Sequence, residues 1–214
     1  TCTSDLDAWV KLFAQLLEAA GANLTKAQLY DMLYFQALEG DADCGGLVSY
    51  NCYSGEPVTG LEEGRPLLVR QPENKLTLPN FMRAQLYAAM ATLQIGMELL
   101  WAEDVQVEKL YGHGGLFKTK GVGQRLLASA LGVPVAVMET AGEGGPWGMA
   151  LLAAYRKNRA QGETLPQYLE QRVFAGAAGD CVGPNPADRE GFQRYIARYR
   201  AGLAVEKEAG KALQ

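Results

Sequence analysis

The sequence predicts a helix-rich α/β domain, and three observations carry that expectation. Amphipathic stripes at helical spacing recur along the chain, and a strand–turn–helix–strand unit runs from Val107 to Met138. Two glycine turns, Gly112–Gly115 and Gly142–Gly145, each follow a strand directly and open a helix. At 214 residues, 48% hydrophobic and 21% charged, the chain is long enough to bury one sizeable core.

The elements follow in order. Trp9, Leu12, Phe13, Leu16, Leu17 and Ala20 form the stripe of a first helix, stopped by Gly21. Thr25-x-x-Gln28 reads as a capping box, with Leu24 and Leu29 placed as a hydrophobic staple, for a second helix to about Glu39. Asp41 to Gly64 is rich in Gly, Asp and Pro, with short strands at Leu47–Tyr50 and then Pro66–Val69. From Pro79, the positions Met82, Leu86, Ala89, Met90, Leu93, Met97 and Leu100 make one face of a long helix to about Ala102, a core spine.

Val107–Tyr111 then reads as a strand, Thr119–Leu131 as a helix stopped by Gly132, and Val133–Met138 as a second strand. Such a unit sets two parallel strands side by side. A helix through Tyr155 follows, then helical patterns at Leu165–Phe174 and Asp188–Leu203, with the final ten residues expected to fray.

Composition excludes several classes. A net charge of -4 and a pI near 5.2 give no general reason to bind nucleic acid or an anionic membrane, so any phosphate contact must be local. No run of about 18 apolar residues occurs, and TCTSDLDAW has neither a basic nor an apolar leader segment. Cys2, Cys44, Cys52 and Cys181 contain no C-x-x-C pair, which fits free thiols in a cytoplasmic protein. The first residue is not Met and a helical pattern starts almost at once, so the chain reads as part of a longer one.

Where could chemistry reside? In Tyr111-Gly112-His113-Gly114-Gly115-Leu116, glycines sit where a strand hands over to a helix. There the backbone N–H groups can approach an anion closely. The loop is neither a P-loop nor a full G-x-G-x-x-G, since Phe117 occupies the last glycine position, and by itself it reads first as a tight turn. The second turn, Glu143-Gly144-Gly145-Pro146-Trp147-Gly148, again opens a helix after a strand. Two such turns at neighbouring strand ends suggest a ligand crevice, which Trp147 either walls or leaves for the core. His113 is the only histidine, with no partner carboxylate evident for base chemistry. Asp41-Ala-Asp43 reads as turn chemistry, not as a metal pair, and Lys118 and Lys120 flank the first turn as candidate phosphate contacts.

Several of these segments, taken in order, resemble the C-terminal domain of FGGY carbohydrate kinases. Gly114 to Lys120, followed by Gln124-Arg125-Leu126-Leu127-Ala128-Ser129-Ala130-Leu131-Gly132-Val133-Pro134-Val135, is similar to that family's glycine loop and "ILADVLGLPV" segment, and its GGL form is most similar to ribulokinases. Gly144 to Ala154 resembles the "EAAALGAALLAA" helix, Pro79 to Ala84 resembles "hixRAxxEG", and Gly55-Glu56-Pro57 with Gly64-Arg65-Pro66 resembles the loop before the "ARG" segment. Ser129 replaces the family's usual Asp, and Lys120-Gly121 its common Ser-Pro.

The resemblance implies a ribonuclease H-like, actin-like ATPase fold and a kinase that uses ATP and Mg²⁺ to phosphorylate a sugar, a ketopentose such as L-ribulose or xylulose. Carried over by position, Gly55, Gly114, Gly115, Leu116, Lys118, Thr119, Gly144 and Gly145 would line the nucleotide site, mostly through backbone. No catalytic or metal-ligating residue is assigned. The catalytic aspartate, the phosphate-binding hairpin and the sugar-binding domain are expected upstream of Thr1, so residues 1–214 would be a nucleotide half-site inactive alone. The long helix around Met97 and Trp101 could serve a homodimer. Two rivals remain: an actin-like nucleotide switch without sugar chemistry, and an activator ATPase of related fold, against which the scattered cysteines argue.

Overall fold

The computed structural model describes residues 3–138, 144–175 and 179–213. Helix α1 (Ser4–Ala19) sends Leu6 and Val10 into the core, and its Trp9 and Phe13 rings meet Phe81 edge-on at 4.8 and 5.9 Å. Helix α2 (Lys26–Glu39) opens on the expected capping box: Gln28 N donates to Thr25 Oγ1, and Thr25 N donates to Gln28 Oε1 at 2.9 Å. Leu29 enters the core while Leu24 stays exposed, so the staple adds little. Strands β1 (Val48–Tyr50) and β2 (Leu67–Val69) pair antiparallel.

Helix α3 (Leu78–Ala102) is the spine, packed by α2, β1, α4 (Val122–Leu131) and α7 (Pro186–Ala212). Its first half is buried all round, so polar residues there must find partners. Arg83, 1% exposed, donates from Nε to Ala37 O (2.7 Å) and from Nη2 to Leu38 O (3.2 Å), carbonyls of the last turn of α2 that a helix leaves without intrahelical partners. Its Nη1 meets Asp188 Oδ1 at 2.9 Å, and Arg125 Nε takes the other carboxylate oxygen at 2.7 Å. One buried acid at the start of α7 thus ties α2, α3 and α4 together. Alongside it, Tyr87, Phe192, Tyr195, Tyr199 and Tyr50 form a continuous aromatic row between α3, α7 and β1.

The second sheet holds β3 (Leu110–Gly112), β4 (Val135–Val137) and β5 (Asp180–Val182), ordered β3–β4–β5. The β3–β4 pair is parallel as expected, and β5 is antiparallel. Helix α4 crosses between the parallel strands, its buried Gln124 donating from Nε2 to Val135 O and Asp180 O. Helices α5 (Gly144–Asn158) and α6 (Leu165–Tyr168) meet through the Tyr155–Tyr168 ring pair.

Three local expectations need correction. Helix α4 starts at Val122, not Thr119, because Gly121 (φ +85°) breaks the helix behind a 3₁₀ turn at Gly115–Phe117. The strand β5 was not anticipated: it is three residues long and held by backbone pairing and the Gln124 amide. The C-terminus does not fray after Leu203; α7 runs to Ala212 because Arg65, far upstream, donates from N to the buried Glu206 Oε1 (2.7 Å) and from Nε to Leu213 O (2.8 Å). On α3, Met97 is buried and Trp101 half-buried, so the exposed apolar side chains near its end are Leu93, Leu99 and Leu100.

Candidate functional site

The parallel register Leu110↔Val135 to Gly112↔Val137 puts the carboxyl ends of β3 and β4 at one end of the sheet, where open α/β sheets bind ligands. Beyond Gly112 the chain passes exposed His113 into Gly114, whose φ of +95° favours glycine and around which an added Cβ would meet nothing. Gly115 has nothing within 4 Å of an added Cβ. The bonds of the following turn run from Phe117 N to Gly114 O and from Lys118 N to Gly115 O, both 3.2 Å. The N–H groups of Gly115 and Leu116 therefore precede the bonds that the turn itself uses. Leu116 points inward at 8% exposure and anchors the loop. Gly123 lets α4 approach, since a Cβ there would sit 2.3 Å from Leu116 O.

Gly115, Lys118 and Thr119 line a cavity of about 580 Å³, closed on its far side by α1 and α2 through Asp7, Lys26, Tyr30 and Asp31. That volume lies inside the about 300–1,000 Å³ typical of small-molecule sites. Thr119 Oγ1 donates to Asp31 Oδ1 at 2.7 Å and so fastens the glycine loop to α2. Tyr30 donates from its hydroxyl to Asp7 Oδ1; burial and that carboxylate push its pKa well above the usual phenol value, so it remains a donor. Lys26 Nζ lies 5.7 Å from the Tyr30 ring centroid, and the Tyr30 and Tyr34 rings are 6.0 Å apart. The wall thus combines two lysine cations, an aromatic pair and open backbone. Lys120 is turned to Asp180 at 3.0 Å instead.

Not every sequence-derived residue meets here. Gly55 lines a separate cavity of about 430 Å³ with Cys52, Leu93 and Gly96, and a Cβ on it would strike Glu62 O at 2.4 Å, so a close chain crossing already accounts for its being glycine. Gly144 and Gly145 open α5 on the β4 side, with open space around Gly145; Gly142 and Glu143 of that turn lie outside the described residues. Trp147 packs edge-on against Phe174 at 5.7 Å. Asp43 caps Gly45 N at 3.2 Å and Asp41 pairs with Lys75, which is turn chemistry.

Sequence reasoning missed Lys26, Tyr30 and Asp31. The signal was present: Lys26, Tyr30 and Tyr34 repeat at i, i+4, i+8 beside the apolar stripe of α2.

Among the described residues no cluster of three or more His, Cys, Asp or Glu side chains could hold a metal ion, and no helix is long and apolar enough to cross a membrane.

Comparison with known proteins gives the context. No curated protein matches the sequence. Among solved structures, the chain is similar to a ligand-bound xylulose kinase from Lactobacillus acidophilus (TM-score 0.68, 17% identity, covering 97% of this chain and 39% of that one). It is also similar to a gluconate kinase from the same organism (0.66, 17%, 90% and 37%) and to a xylulose kinase from Rhodospirillum rubrum (0.64, 19%, 93% and 38%). It therefore spans well under half the length of each, and at these identities the likeness establishes the fold, ribonuclease H-like and actin-like. The family model for the C-terminal domain of FGGY carbohydrate kinases matches residues 1–156, a stretch that includes the glycine loop, α4, the parallel strand pair and most of α5. On that match the chain belongs to the FGGY family of carbohydrate kinases, as its C-terminal domain.

Proposed function

We propose that this chain is the nucleotide half-site of an ATP-dependent sugar kinase, and that the Gly115–Thr119 cavity receives the nucleotide. The observation that carries this reading is the open Gly114–Gly115 backbone at the carboxyl end of β3, inside a family-matched segment and facing a cavity with two lysines and an aromatic wall.

The residues fit the ligand. Gly115 and Leu116 offer backbone N–H groups to phosphate oxygens at close range, which a side chain at 115 would obstruct. Lys118 and Lys26 supply positive charge beside them as point charges. Tyr30, half-buried and backed edge-on by the buried Tyr34, offers an aromatic surface to a base. Thr119, through Asp31, holds the loop against α2. When bound, ATP supplies the phosphoryl group that the sugar hydroxyl receives.

Mg²⁺ is a different matter. The carboxylates at this cavity, Asp7 and Asp31, already accept hydrogen bonds from Tyr30 and Thr119, and the described residues do not form a metal site. We assign no metal ligand here; a Mg²⁺ requirement of the whole kinase rests on other groups. The general base and the residues that read sugar hydroxyls are likewise assigned to a further, sugar-binding part of the kinase, and the half-site alone is expected to be inactive. A ketopentose substrate, L-ribulose or xylulose, and a cytoplasmic setting complete the proposal. The similarity to two xylulose kinases supports the former.

The test is a phosphorylation assay of the full-length kinase with ATP and Mg²⁺ against L-ribulose, D-xylulose, D-ribulose, glycerol and gluconate. Turnover is expected on a ketopentose. Turnover on gluconate or glycerol alone would replace the sugar assignment, and no turnover on any would overturn the kinase reading.

A further inference from the structure

A second cavity, of about 510 Å³, lies at the other end of α4. Its walls come from the carboxyl end of α3, the segment before β3, the Gly132 turn before β4, and the first turns of α7. The nucleotide cavity touches residues 115–119, ahead of α4, and this one touches residues 130–133, behind it. The 10 residues of α4 rise about 1.5 Å each, so the two sites are separated by about 15 Å.

Its polar groups are of unusual kind. Arg189 makes no ion pair or side-chain hydrogen bond among the described residues, although the neighbouring Asp188 and Glu190 are both engaged by other arginines. Its guanidinium lies over Gly132, where a Cβ would stand 2.9 Å from Arg189 Cζ and where the φ of +68° favours glycine. Gln94, 5% exposed, donates from Nε2 to Glu98 at 3.0 Å, while its Oε1 is buried with no partner. That acceptor is a buried polar group of this wall that the fold leaves unpaired. Gln106 and Gln193 add two more carboxamides, and Trp101 adds a half-buried ring.

We propose that this cavity is a second small-molecule site, for a sugar carrying an anionic group. Carboxamides donate and accept as hydroxyls require, the indole offers an apolar face to the C–H side of a sugar ring, and the unpaired guanidinium binds the anion. The site lies at the amino ends of β3 and β4, away from the carboxyl-end crevice, and so does not depend on what that crevice binds.

The anion can be a phosphate or a carboxylate, and calorimetric titration of the chain with glucose 6-phosphate, glucuronate and neutral glucose separates them. At least one charged sugar is expected to bind one-to-one, at least about tenfold more tightly than glucose, and Arg189→Gln is expected to erase that preference. Gln193→Leu, on the exposed surface, should weaken the same ligand without unfolding the protein, and Gly115→Val should leave its binding unchanged. The proposal is overturned by no saturable binding of any sugar, by glucose binding as tightly as the charged sugars, by an Arg189→Gln protein that retains the preference, or by loss of binding in Gly115→Val.

Discussion

The α3–α7 interior and the Gly114–Lys118 loop use similar residue types to opposite ends. In the interior, polar groups face one another: Asp188 is shared by Arg83 and Arg125, and Tyr195 donates to Ser49 O and Ala84 O. Glycines there exist because something touches them, as a Cβ on Gly202 would sit 2.2 Å from the Tyr50 hydroxyl. In the loop, Gly114 and Gly115 face empty space and Lys118 is exposed. The lesson is that a glycine or a charge gains functional meaning from what is missing opposite it. The Asp188 cluster has its partners in place and the loop does not.

Changes on the two sides should therefore differ in kind, beginning with the largest. Asp188→Ala strands the Arg83 guanidinium at 1% exposure, and denaturant unfolding should show a loss of about 3–5 kcal/mol. A loss below about 1 kcal/mol would mean that the triad is not a structural keystone. Gly123→Ala drives a Cβ toward Leu116 O, which is backbone, and should cost about 1–3 kcal/mol while displacing the Gly115–Phe117 turn. A neutral result would show that the loop is not clamped to α4.

The smallest effect concerns pH. Burial raises the pKa of Glu206, partly offset by the N–H of Arg65, and its Oε2 has no partner. A raised folded-state value means that the contribution of Glu206 is fully present below its unfolded value of 4.5 and is lost as pH rises through the folded one. Thermal melts across that acidic range should thus show Glu206→Gln more stable than the parent at neutral pH, with the difference shrinking as pH falls. Parallel melting curves would contradict the burial of this carboxylate.

Much of this was legible in the sequence because the signals were local. The Thr25 capping box, the α3 spine and the parallel β3–β4 pair each rest on neighbours within a few residues or on a single crossover. What was not legible is carried by distant partners. The extension of α7 depends on Arg65, β5 on the Gln124 amide, and the cavity wall on Lys26, Tyr30 and Asp31 of α2, brought to the loop by the Thr119–Asp31 bond. Gly55 shows the converse: its motif is clear, yet the structure sets it in a different cavity from Gly115.

The most direct test of the nucleotide half-site is calorimetric titration of ATP into the parent chain and Gly115→Val, with unfolding of both measured alongside. Because a Cβ at 115 meets nothing within 4 Å and the position is exposed, stability should stay within about 0.5 kcal/mol. ATP should bind the parent and weaken by at least about tenfold in the variant. Equal ATP affinity in the two proteins, at equal stability, would remove the Gly114–Gly115 loop from the site.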